Sequence, residues 1–315
     1  MKTLTSQSFA KAKAFIMENA RPLEQRLFAY HFEGGPPEAV LEELARFQNE
    51  DGGFGQALEP DFRLPASSPL ATSVAFQKLR HLREEPGHPL ARALARPLAQ
   101  DGIRYLLASY DAEKGYWPAV PPEVNTAPHA PWWHYDPQAG RCAVETPANP
   151  SAEITGYLYA YPEQVPGDFL SRVTESALSY LQSHAGQIEM HGLFCYIRLS
   201  EELSGAAQES LVERLKSLVS EAVARDPQSW AEYGPQPLMF ATSPQSPLVS
   251  LMPQEIEANL DYRIEGQDPG GSWSPNWTWG ENYPEAWPQA RQEWQGVLTL
   301  ENLLLLRRFG RLESR

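Results

Sequence analysis

The sequence predicts an all-α fold built from successive helical hairpins. Three observations carry it: apolar stripes at helical spacing, proline-marked helix starts that recur, and scarcely any strand-like alternation. Phe9, Ala12, Ile16 and Ala20 are spaced by three and four residues, which places them on one helix face, and so are Val40, Leu44 and Phe47. Phe169, Val173, Ala177 and Leu181 form another stripe, continued less regularly by Met190, Leu193, Ile197 and Leu203. Leu211, Leu215, Leu218 and Ala222 follow Gly205, and a last helix is predicted from about Arg291 to Phe309, with Gly310 as its C-cap.

The starts recur in form. Ser68-Pro69-Leu70-Ala71, Asn149-Pro150-Ser151-Ala152 and Ser246-Pro247-Leu248-Val249 each put a capping residue before a proline, whose missing N–H is harmless in a first helical turn. Each follows a glycine- and aromatic-rich turn: Gly52-Gly53-Phe54-Gly55, Gly115-Tyr116-Trp117-Pro118 and Trp230-Ala231-Glu232-Tyr233-Gly234-Pro235. Gly270-Gly271-Ser272-Trp273 precedes the final helix in the same way. The intervals between starts hold about two hairpins each, taking roughly 40–47 residues per hairpin. An open solenoid would bury the stripes, and so would a closed double ring of about five to six hairpins. No low-complexity linker divides the chain, so residues 1–315 are expected to form a single domain.

Composition narrows the partners. The net charge is −14, with 40 acidic residues against 26 basic ones, whereas nucleic-acid binding needs a cationic footprint. Polyanionic surfaces are disfavoured for the same reason. Two cysteines, Cys142 and Cys195, cannot make a disulfide framework. Residues Met1 to Phe32 read as amphipathic helix rather than a leader, and no run approaches the roughly 18 apolar residues of a transmembrane helix. A cytoplasmic protein is expected. The 29 prolines, with 9 Trp, 13 Tyr and 12 Phe, point to proline-started helices joined by aromatic loops rather than to disorder, because 42% of residues are hydrophobic.

Gln48-x-x-x-Gly52-Gly53-Phe54-Gly55 resembles the QW-type repeat of squalene and oxidosqualene cyclases, found in degenerate form in protein prenyltransferase β subunits. Tyr110-x-x-x-x-Gly115-Tyr116-Trp117 and Gln267-x-x-Gly270-Gly271-Ser272-Trp273 look like weaker copies. The resemblance implies an α/α toroid of the terpenoid-cyclase and prenyltransferase kind. It also implies that Gln48, Gly52, Gly53, Phe54 and Trp117 brace the structure, with the glutamine capping a helix end. Phe54 stands where the repeat usually has tryptophan. The Asp-x-Asp-Asp acid of class II cyclases is absent, and the zinc ligands of the prenyltransferases cannot be placed. The resemblance therefore carries fold rather than activity.

In a toroid, the loops entering the inner helices gather at one mouth, so acids just before the helix starts are the catalytic candidates: Glu59, Asp61, Glu145 and Glu153. Carboxylates among aromatics suit proton transfer, because low-dielectric walls favour the protonated acid. Trp132, Trp133, Trp273 and Trp277, with Asp136, are the candidate ligand contacts, since aromatic faces stack on sugars or stabilise cations. The bland alternatives are helix capping, ion pairing and loop packing. His129, His134, Asp136 and Cys142 collect four potential metal ligands in one loop, and His191 and Cys195 share a helical face. Neither matches an established spacing, so no metal and no cofactor is expected.

The functional expectation is an enzyme that binds an apolar or isoprenoid ligand in an acid- and aromatic-lined cavity. A carbohydrate-active enzyme acting on a neutral glycan, hydrolase or lyase, and a non-enzymatic binding or scaffold toroid are the alternatives. The partner is expected to be a small molecule or an oligosaccharide.

Overall fold

The computed structural model describes residues 1–84, 91–184 and 188–313. Among these residues the chain is all-helical apart from one short hairpin. Its helices are α1 (Ser6–Asn19), α2 (Pro22–Glu33), α3 (Pro37–Ala45), α4 (Pro69–Glu84), α5 (Ala91–Ala108), α6 (Ser151–Tyr159), α7 (Gly167–Ser183), α8 (Met190–Glu202), α9 (Gly205–Ala222), α10 (Pro237–Phe240), α11 (Pro253–Glu265) and α12 (Trp287–Arg308). The hairpin pairs β1 (Tyr135–Asp136) with β2 (Arg141–Cys142), antiparallel. Among the described residues, no helix is long and apolar enough to cross a membrane.

The predicted stripes fall on helices, with shifted ends. Phe9, Ala12 and Ile16 are the buried face of α1, while Ala20 is its C-cap. Met190, Leu193 and Ile197 lie on α8 (Met190–Glu202), a helix separate from α7 with Leu203 as its C-cap, started by Glu189, whose carboxylate accepts the His191 and Gly192 N–H groups at 2.8 and 2.7 Å. The three expected starts diverge. Ser68 caps as predicted, its hydroxyl accepting the Ala71 N–H at 3.0 Å ahead of α4. At the second, Pro150 itself takes the cap position after a cis Asn149–Pro150 bond. At the third, Ser246-Pro247 opens only a 3₁₀ turn over Val249–Leu251, and the helix begins at Pro253. A favourable cap–proline pair permits a start, but packing selects which turn continues.

The contacts group the chain into two compact units. Unit 1 comprises Met1–Val40, Val219–Gly280 and Pro284–Arg315, and unit 2 comprises Leu41–Leu218 and Glu281–Tyr283. In unit 1, α1 and α2 pack on α12, and a Cβ at Gly296 would lie 2.7 Å from the Ala20 Cβ, so the backbones approach closely there. The two ends of the chain pair through Leu4, whose N–H donates to the Arg311 carbonyl at 2.7 Å and whose carbonyl accepts the Glu313 N–H at 3.0 Å. In unit 2, α6 is buried from Ser151 to Leu158 and packs mainly on α8, with Gly156 against Leu199.

The three aligned turns share hydrogen bonds that their sequences only hint at. The Gln48 amide donates to the Gly52 carbonyl at 2.9 Å and to the Leu98 carbonyl within α5 at 3.1 Å. Gln267 repeats this on the Gly271 and Ser8 carbonyls, both at 2.9 Å. The glutamines thus tie a turn to the side of a neighbouring helix, where a helix-end cap was expected. Both glycines have positive φ, +87° and +98°, and a Cβ on either would strike backbone, at the Asp101 carbonyl oxygen or the Lys11 carbonyl. After each turn the aromatic residue's N–H donates to a hydroxyl on the next helix: Phe54 to Thr72 at 3.0 Å, Trp117 to Ser151 at 3.0 Å and Trp273 to Thr299 at 3.1 Å. The indole N–H of Trp117 reaches the Leu106 carbonyl at 2.6 Å, and that of Trp273 the Arg263 carbonyl at 2.7 Å. These carbonyls lie in the last turns of α5 and α11, where no intrahelical donor remains. Phe54 lacks such an N–H and contributes apolar packing instead, fully buried.

Candidate functional site

Among the acids named from the sequence, unit 2 brings Glu59 and Asp61 into a loop cluster and uses Glu145 and Glu153 elsewhere. After the Gly52–Gly55 turn the backbone passes through two consecutive left-handed residues, Gln56 (φ 55°) and Ala57 (φ 59°). Non-glycine residues avoid this region, so it carries local strain. The bend lets Glu59 turn its Oε2 back onto the Asp61 N–H at 2.6 Å. Residues 61–63 then lie antiparallel to residues 128–130: the Ala130 N–H donates to the Asp61 carbonyl at 2.7 Å and the Arg63 N–H to the Pro128 carbonyl at 2.8 Å. Both carboxylates are largely covered, Glu59 at 8% and Asp61 at 4% exposed.

This pairing sets His129 and Trp133 beside the acid loop. His129 Nδ1 lies 2.7 Å from the Ala127 carbonyl, which requires the proton on Nδ1 in the neutral ring. Its Nε2, 3.1 Å from His134 Nδ1, then accepts the His134 N–H. Phe62 meets the Trp133 ring edge-on at 5.9 Å, and Tyr283 meets the His129 ring at 5.1 Å. Tyr283 is itself left-handed, φ 46°. All three left-handed non-glycine residues among those described therefore sit in the loops of this cluster, and strained backbone of this kind concentrates at functional sites.

Burial holds the His129 imidazole below its ordinary value of 6.5, with the charge of His134 acting in the same direction and the Ala127 carbonyl opposing. The ring is therefore neutral near pH 7. The unfolded chain binds this proton more readily than the folded one. The resulting stability is complete above pH 6.5 and is lost as pH falls through the depressed folded value. Melting temperature is expected to drop as pH falls below 6.5, and His129→Gln should flatten that drop. An unchanged pH slope in the variant would show that other groups govern it.

The other two acids have buried structural partners. Glu145, fully buried, accepts the Ala119 N–H at 3.0 Å, the Tyr116 hydroxyl at 3.2 Å and Lys114 at 3.4 Å. Burial and this carboxylate push the Tyr116 phenol up to about 12 and the Cys142 thiol likewise to about 12. Glu153, in the first turn of α6, pairs with Arg198 of α8 at 2.6 Å and accepts the Gln77 amide at 3.3 Å.

The ligand-contact candidates are scattered. Trp133 is 6% exposed and its indole N–H has no acceptor among the described residues, while Trp132 beside it is half-buried. Asp136 is exposed and accepts the Gln138 N–H at 2.8 Å, shaping the β1–β2 turn. Trp273 and Trp277 belong to unit 1, where Trp277 meets Trp294 edge-on at 5.1 Å and Tyr233 at 5.5 Å. Among the described residues, no group of three or more His, Cys, Asp or Glu side chains is placed to hold a metal ion. Of the four residues that the sequence grouped as ligands, His129 bonds His134, Asp136 shapes the turn, and Cys142 is buried opposite Tyr135. The sequence did not reveal the His129–His134 pairing or the arrival of Tyr283, because neither spacing nor residue type encodes them.

No protein-family model and no curated protein matches the chain. Solved structures do. The apo structure of the type II terpene cyclase MstE from Scytonema superposes with a TM-score of 0.54 at 14% identity, covering 96% of this chain and 98% of the other. A variant of the same enzyme in complex with its substrate, geranylgeranyl dihydroxybenzoate, gives 0.54 at 13%, with 95% and 97% covered. The chain has the α/α-toroid fold of the terpenoid cyclases. Superposition at this identity transfers fold and leaves chemistry to the residues.

Proposed function

We propose that this protein is a single-domain, cytoplasmic toroid enzyme that binds an isoprenoid-type chain, with the Glu59–Asp61 loop supplying the acid. One observation carries the reading: the fold match runs almost the full length of both chains, and one matched structure holds a geranylgeranyl-bearing substrate. The paired turns at Gln48 and Gln267 support it as degenerate QW-type braces. In this reading Asp61 gives a proton to a double bond of the chain. The π electrons form the new C–H bond, and the positive charge left on carbon is stabilised by aromatic faces such as Trp133. Loss of a proton to the His129–His134 pair would end the reaction.

The glycan alternative needs two carboxylates facing each other across a bond. Glu59 is instead turned back onto its own loop, and Glu145 and Glu153 hold buried partners. The isoprenoid reading is therefore preferred. Thermal-shift titration with prenyl diphosphates, geranylgeranyl-substituted aromatic acids and neutral oligosaccharides tests it. A ligand at 100 times its Kd adds about 2.7 kcal/mol to the folded state, a readily measured rise. Stabilisation by a prenyl compound is expected. Stabilisation by oligosaccharides alone would replace this reading with the glycan one, and none by either would favour a scaffold.

A further inference from the structure

We propose that the Trp133 indole N–H is the polar anchor of the acid-loop site, donating to an uncharged oxygen, an alcohol or a carbonyl, carried by the ligand. This rests on the isoprenoid reading above and adds the polar group that the chain must bear.

The observation is a covered donor without an acceptor. Trp133 is 6% exposed, and its Nε1 is shielded from water yet bonds nothing among the described residues. Other indoles of this fold are satisfied by the main chain: Trp117, Trp230 and Trp273 donate to the Leu106, Ala224 and Arg263 carbonyls at 2.6, 2.7 and 2.7 Å. Trp277, which also lacks an acceptor, belongs to unit 1 and is half-buried. Leaving a covered donor unbonded costs about 1–3 kcal/mol. The backbone keeps Trp133 in that position. Its main-chain N–H donates to the Ala130 carbonyl at 3.0 Å, and the Ala130 N–H is pinned to the Asp61 carbonyl at 2.7 Å. A guest oxygen that reaches the indole recovers the cost of the orphaned donor, and a hydrocarbon does not.

The surrounding groups set the kind of oxygen. An indole is uncharged and can only donate. The acid loop carries the carboxyl groups of Glu59 and Asp61 with one guanidinium, Arg63. The paired segment brings His129, neutral near pH 7, and His134, while Tyr283 adds a phenol against the His129 ring. A diphosphate needs several charged donors, and a single guanidinium falls short of that. One uncharged donor matches one uncharged oxygen. Because the N–H lies in the ring plane, this bond is separate from the contact of the ring face with a cationic carbon.

Isothermal titration of the full chain with farnesol, farnesyl diphosphate and the hydrocarbon that farnesol becomes without its hydroxyl reads the proposal. Trp133→Phe keeps an aromatic ring and removes the N–H. It should weaken farnesol binding about 10-fold and leave the hydrocarbon within about twofold, the hydrocarbon correcting for lost ring volume. Farnesyl diphosphate should bind the unmodified protein more weakly than farnesol. With the indole nitrogens isotope-labelled, one indole N–H resonance of the unmodified protein should move downfield with farnesol but not with the hydrocarbon, and this readout decides should Trp133→Phe fail to fold. The proposal is overturned if Trp133→Phe weakens both ligands alike or neither, if the diphosphate binds as tightly as farnesol, or if no indole resonance separates farnesol from the hydrocarbon. Hydrocarbon binding alongside any of these results leaves the isoprenoid reading standing, whereas no binding by any of the three removes both.

Discussion

Replacing Gly52 by alanine is expected to destabilise this protein by about 3–5 kcal/mol. Two mechanisms add. The residue sits at φ +87°, where an L side chain is strained by about 1–3 kcal/mol. Its new Cβ would also lie 2.5 Å from the Asp101 carbonyl oxygen, an atom of the α5 backbone that cannot step aside. The clash would push the turn off α5 and lengthen the Gln48 bond to the Leu98 carbonyl. Gly271→Ala should behave alike in unit 1, because its φ is +98° and its Cβ would strike the Lys11 carbonyl carbon. Gly115→Ala is the control: φ is +77°, but nothing lies within 4 Å, so only the strain remains, about 1–3 kcal/mol. Urea unfolding measures all three. Equal losses at Gly52 and Gly115 would mean that the close approach to α5 contributes nothing.

Asp61→Asn is expected to lower turnover of a prenyl substrate by about 10²–10⁴-fold, the range that a positioned acid contributes. Glu59→Gln should lower it far less. The two acids are neighbours in the loop yet differ in task. Glu59 holds the bend by accepting the Asp61 N–H at 2.6 Å, and the glutamine carbonyl oxygen can still accept that bond. The amide side chain of the Asp61→Asn variant matches the carboxyl in size and leaves the backbone pairing with Ala130 in place, but it has no acidic proton to donate. The melting temperature of Asp61→Asn should therefore stay near that of the parent. Full activity in that variant, or a loss of activity matched by a loss of fold, would remove Asp61 from the mechanism.

The helices were legible in the sequence because burying one face of a helix imposes a spacing of three and four. Phe9, Ala12 and Ile16 show that spacing, and they are the buried face of α1. The turn at Gln48 was legible because Gly52 is a residue type that tolerates positive φ readily, so its place in the sequence reports a local backbone requirement. The third helix start was misplaced from Pro253 to Pro247 because local cap chemistry at Ser246 is equally compatible with a 3₁₀ turn.

What the sequence by itself determined is therefore whatever a few neighbouring residues decide together: the helical class, the braced glycine turns, and a loop carrying Glu59 and Asp61. What only the tertiary structure decided is which distant groups meet. The sequence placed Glu145 and Glu153 beside helix starts, and only the fold shows that they meet the Tyr116 hydroxyl and the Arg198 guanidinium. His129 became a neutral base beside the acid loop only when residues 128–130 paired with residues 61–63. Gln56, Ala57 and Tyr283 adopt left-handed backbone that their residue types disfavour. Only contacts from the rest of the fold can hold such conformations, and a local sequence pattern carries no trace of them.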